Sequence, residues 1–163
     1  MVDSPAPRNL AQMRRVQADG AVLFCSTHLC VRVAVLKPGI VLVSAHGEVI
    51  DHEDVRAEAA LLAELDHELE RAGTFTMFAD LRGSPRMPSA SRERVAQWAR
   101  RHQGRLLPSH VLVRSKLLDM ALSIITMLVG SGLFKVHTNA QTFLALVKTA
   151  APKLMALPQV PAP

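Results

Sequence analysis

The chain has 163 residues, enough for one domain with a substantial core. Aromatics make up only 4% of it, with no Tyr and one Trp, so the core has to be aliphatic. That scarcity also counts against a single-stranded nucleic-acid platform, which needs aromatic faces for stacking. The formal net charge of +5 conceals an uneven distribution. From Asp51 to Arg71 the chain is acidic, opposed only by Arg56 and Arg71; from Arg82 to Lys116 it is basic, opposed only by Glu93. An acidic pole and a basic pole are expected, a pattern that suits protein contacts better than nucleic acid.

Residues 1–19 read as a flexible N-terminal arm, with Leu10, Met13 and Gln17 on one side of a short helix. Residues 20–155 read as the domain and 156–163 as a Pro-rich tail. Residues 21–26, 29–36 and 40–45 are apolar, β-branched runs, with a turn at Lys37-Pro38-Gly39, and together predict an antiparallel meander. Asp51 predicts a helix start, with Asp54 at the capping-box position, and Gly73 predicts its end. Val55, Ala59, Leu62, Leu65 and Leu69 supply its apolar face.

A central strand is expected from Phe75 to Ala79, leading into Asp80-Leu81-Arg82. A loop follows, and Ser89 or Ser91 is expected to cap a second helix whose inner face holds Val95, Trp98, Ala99 and His102. Residues 110–113 and 133–137 predict two further strands. Residues 116–129 predict an apolar, well-buried third helix, and Asn139 caps a last one running to about Leu154. The pattern predicts an α/β fold: a mixed sheet that opens with a β-hairpin, continues through alternating helices and strands, and forms a single layer covered by about four helices.

Two cysteines, Cys25 and Cys30, lack Cys-x-x-Cys spacing and read as small core residues in a reducing compartment. The apolar stretch 120–134 is too short to span a bilayer and is broken by Gly130-Ser131-Gly132, and no signal-peptide core opens the chain. A cytoplasmic protein without membrane insertion is expected. His46, His52 and His67 show no ligand spacing, so no metal is expected, and no glycine pattern suggests another cofactor. Nothing sets a base beside a nucleophile, so no catalytic residue and no enzyme are expected.

Three local patterns carry a resemblance. They are Val41-Leu42-Val43-Ser44-Ala45-His46-Gly47-Glu48-Val49 before an acidic helix start, Phe78-Ala79-Asp80-Leu81-Arg82-Gly83 after the central strand, and the closing run from Phe134 to Leu144. With the element order, they make the chain from Leu29 to Lys153 resemble the STAS-like proteins, which include anti-sigma-factor antagonists and SEC14-like relatives. The resemblance implies a non-enzymatic, protein-binding regulatory or signalling module of bacterial type, in many members switched by phosphorylation of a Ser or Thr after the central strand. Asp80 matches the acid at the strand end, but the compact Asp-Ser-Ser-Gly motif is absent. Ser84, Ser89 and Ser91 stand in the equivalent region, and Asp80, Arg82, Ser84, Arg86, Ser89 and Ser91 are the candidate partner-binding or phospho-switch residues. The Met-rich third helix offers a homodimer face; alternatively it lines a cavity for a small apolar or lipid-like ligand, making the protein a carrier or sensor.

Overall fold

The computed structural model describes residues 10–130 and 132–163. One seven-stranded mixed sheet runs in chain order. A single helical turn, α1 (Leu10–Met13), leads into β1 (Arg14–Val16), β2 (Val22–Cys25), β3 (Leu29–Lys37) and β4 (Ile40–Gly47), all antiparallel neighbours. The order then alternates: α2 (His52–Ala72), β5 (Thr76–Gly83), α3 (Ser89–Arg101), β6 (Ser109–Leu112), α4 (Lys116–Val129), β7 (Phe134–His137) and α5 (Ala140–Ala150). β4 to β7 are parallel, so each crossover must run through a helix.

Three successive crossovers of one hand, stepping one way along the sheet, leave their helices on one face. The core confirms this. Leu65 and Leu69 of α2, Trp98 and Ala99 of α3, and Leu118 and Ile125 of α4 pack with Val41, Val43, Ala79 and Val111. On the opposite face Leu42, Phe78 and Leu112 pack with Phe143 and Val147 of α5. The alternation of Val41, Leu42 and Val43 between two cores follows from the period of two along a strand.

Several expectations change. The segment 14–16 of the expected arm pairs with β2, so α1 stops at Met13 and Gln17 lies beyond it. The rest of the arm, residues 1–9, lies outside the described residues. The central strand continues through Asp80, Leu81 and Arg82 to Gly83, because parallel pairing with β4 extends to His46. α3 has Pro88 at its N-cap and no side-chain cap from Ser89 or Ser91. α5 stops at Ala150, just before Pro152, whose ring cannot continue a helix.

The cysteine reading is also corrected. Cys25 and Cys30 face each other across the β2–β3 ladder, their Cα atoms 4.2 Å apart, and form a disulfide. A spacing of five suits a tight hairpin that returns one residue opposite the other. The cysteines therefore lend no support to a reducing compartment. No helix among the described residues is long and apolar enough to cross a membrane.

The acidic and basic segments turn toward each other. α2 and α3 lie on the same face, and Glu58 pairs with Arg94. Asp66 accepts from Trp98 Nε1 at 2.6 Å and lies 2.8 Å from His102 Nε2. Arg105 donates to the Leu69 and Gly73 carbonyls at the end of α2. Much of the expected charge polarity is thus neutralised within the molecule.

On the α5 face, His110 Nδ1 and His137 Nε2 are 2.9 Å apart, and the His110 ring stacks on Phe78. Burial lowers the pKa of His110 from its ordinary 6.5, and the charges of His137 and Lys135 push the same way. The unfolded chain then takes up the proton first, so this contribution to stability is present above about pH 6.5 and lost as pH falls below it. Denaturant titrations should show stability falling as pH drops from 7 to 5, and His110→Gln should flatten that slope; an unchanged slope in the variant would contradict it.

Candidate functional site

The carboxyl-terminal ends of parallel strands are where an open α/β sheet leaves a crevice for ligands. Here the ends of β4 and β5, the β2–β3 turn and the start of α4 enclose an open cleft of about 800 Å³. His28, His46, Arg82, Ser84 and Arg114 line it. A second hollow of about 560 Å³ continues from it over Ser44 and Asp80.

Two glycines let these loops converge. A Cβ on Gly83 would stand 2.7 Å from the Ala45 carbonyl oxygen, so only glycine permits β4 and β5 to meet here. Gly47 has φ of +95°, and a Cβ there would lie 1.9 Å from the His28 carbonyl oxygen. Both belong to the local patterns noted in the sequence.

Asp54 fixes one wall. Its fully buried carboxylate accepts from the Ser26 hydroxyl at 2.6 Å and from the backbone N–H groups of His28, Ile50 and Asp51 at 3.0, 2.8 and 2.9 Å. His28 Nδ1 is a further partner at 3.0 Å. Asp51 closes the reciprocal capping box of α2. Burial opposes ionisation of Asp54, but the hydrogen bonds from Ser26, Asp51, Ile50 and His28 outweigh it and hold the pKa at about 2. His28, Asp51 and Asp54 lie close enough to hold one cation, yet the Asp54 oxygens are already engaged by these donors.

The six candidate residues divide by location. Asp80 is buried and receives a two-pronged contact from Arg82, at 2.9 Å from Nε and 2.8 Å from Nη2. That hydrogen bonding, and the charge beside it, raises the Arg82 pKa further. Arg82 and Ser84 line the cleft. Arg86 bends to Glu48 in an exposed, solvent-screened pair that adds little to stability. Ser89 is exposed on the first turn of α3. Ser91 is buried, and its hydroxyl accepts from Arg94 at 3.1 Å, so it faces the α2 contact and not the cleft.

His28, His46, Ser44 and Arg114 also belong to the site, although no motif in the sequence groups them. Arg114 is exposed and has no partner among the described residues. The signal for Arg114 was its place just after a parallel strand and before the Ser115 cap of α4. Arg92, Arg100 and Arg105 of the basic segment donate to main-chain carbonyls.

α4 is only half core. Leu118, Ala121, Leu122, Ile125 and Val129 are buried, while Leu117, Met120, Ile124, Met127 and Leu128 are exposed, Met127 to 85%. Its expected burial is met on one side only, because the sheet covers that side and, among the described residues, no layer lies beyond.

No family model and no curated protein matches the chain. Among solved structures, an anti-sigma factor antagonist from Mycobacterium paratuberculosis is similar at 15% identity and a TM-score of 0.49, over 82% of this chain and 99% of that one. Likeness of this degree carries no residue role or partner to this chain.

Asp54→Asn should lower stability by about 2 kcal/mol at pH 7, because a carboxylate held at about 2 instead of its ordinary 3.8 contributes that much above pH 4 and loses it as pH falls through 2. Denaturant unfolding measures this; a variant within about 0.5 kcal/mol of the parent would contradict it.

Proposed function

We propose that the protein is a non-enzymatic regulatory module that binds another protein through the carboxyl-terminal edge of its sheet. The observation that carries this reading is the open cleft in which the unpaired guanidinium of Arg114 stands with Arg82, His46 and Ser84. Such a concave, basic edge recognises carboxylates or a phosphate on a partner. Phosphorylation of Ser84 would place roughly two negative charges beside Arg82 and Arg114, which is how this site would be switched. Ser91, buried beneath Arg94, is the least suited of the three serines to modification.

The hollow beside the exposed side of α4, at Ile124 and Leu128, encloses about 270 Å³, below the roughly 300–1,000 Å³ of typical small-molecule sites. The carrier reading therefore gains no support from it.

Partners captured from the host and purified should bind the parent at least about tenfold more tightly than Arg114→Glu, the loss of one charge-assisted contact and its reversal. Equal affinity would overturn the assignment of this edge.

Homodimerisation belongs to the same proposal, with the exposed face of α4 as its contact. Sedimentation should show a dimer that Met127→Glu disrupts; a monomer at all concentrations would remove this part.

A further inference from the structure

Beyond α5 the chain does not leave the domain. Leu154 and Leu157 pack against the core of the α5 face. Pro158, Gln159 and Val160 then line the hollow over Ser44 and Asp80. Pro163 reaches the cleft beside His28 and His46, and its Cγ would stand 3.2 Å from a Cβ on Gly47. Residues 157–163 thus lie across the edge assigned above to a partner.

The way this segment is held is informative. Among the described residues, no hydrogen bond or ion pair joins residues 155–163 to the domain. Apolar contact alone retains it, with Leu157, Pro158 and Val160 half-buried and Gln159 exposed. Pro158, Pro161 and Pro163 lack an N–H and favour an extended backbone, so little order has to be imposed on it. Beneath it, two donors are left unused. Among the described residues, the buried Ser44 hydroxyl has no partner and Arg114, at the same hollow, is unpaired.

We propose that residues 157–163 are an internal occupant of this groove, displaced by an extended, proline-bearing segment of a partner protein that carries a carboxylate. The seated segment shows what backbone shape and apolar character the groove accepts. The idle Ser44 and Arg114 donors show what it lacks: an anionic acceptor at the place of Gln159, whose neutral amide shares their hollow and engages neither. The proposal rests on reading this edge as the partner site and adds its ligand chemistry and its regulation. A tethered segment acts at an effective concentration of the order of millimolar, so it would exclude weak ligands and yield to strong ones.

The test uses a fluorescent peptide of residues 155–163, titrated into the full chain, into a chain ending at Leu157, and into full-length Val160→Lys, which sets a cation beside Arg114. Circular dichroism and melting first establish that each is folded. The shortened chain and Val160→Lys should bind the peptide at least about tenfold more tightly than the parent. A Gln159→Glu peptide should bind more tightly still, and Arg114→Ala in the shortened chain should abolish that gain. If the shortened chain does not fold, the Val160→Lys comparison decides. Equal affinity for parent and opened proteins, or no binding to either, would overturn the proposal, as would a dimer of the full chain formed by exchanged tails. No peptide binding together with a partner still lost in Arg114→Glu defeats the internal occupant alone. Peptide binding with a partner indifferent to Arg114→Glu defeats the partner-site reading.

Discussion

The buried carboxylate of Asp54 is the constraint on which the geometry of this edge depends. It sits on α2 but gathers donors from the β2–β3 turn and from the β4–α2 connection. A buried carboxylate has to be satisfied by several donors, because an unpaired one is costly. Here the satisfaction comes from three main-chain N–H groups, whose positions the backbone fixes, together with the Ser26 hydroxyl and the His28 ring. The result is that His28 and Ile50 are held at the cleft wall by the same atoms that start the helix.

From that point the site builds outward through close backbone approach. Gly47 lets β4 pass under the His28 carbonyl, and Gly83 lets β5 meet Ala45 and His46. Arg82 is then aimed by Asp80, while Arg114 follows from the next parallel strand. Three crossover helices occupy one face of the sheet, which leaves the other for α5 and the tail. Leu154 and Leu157 pack along that free face, and the residues that follow reach the cleft end of the strands from there.

Much of this fold is legible in the sequence because its signals are local. The Asp51–Asp54 capping box, the Gly73 stop, the Asn139 cap and the apolar run of residues 40–45 each state their own conformation. The α/β order, with a hairpin and then parallel strands, follows from them. What fails depends on how separate elements pair and pack, which no single segment states. β1 exists only because β2 offers it an edge, and the disulfide follows from register across a hairpin. The opposed charges of α2 and α3 look like poles in sequence and become Glu58–Arg94 and Asp66–Trp98 contacts once a crossover sets the helices on one face. The candidate loop is partly legible: Asp80 and Arg82 were marked by strand-end position, but Ser91 turned inward, and the fold-back of a Pro-rich tail has no local signature.

The Asp54 constraint can be measured directly, by following its carboxyl carbon by NMR through an acid titration. A midpoint at about 2, with the amides of His28, Ile50 and Asp51 shifting at that same midpoint, is the result this account expects. A midpoint near the ordinary 3.8, with those amides unresponsive, would show that the cleft wall is held by something else.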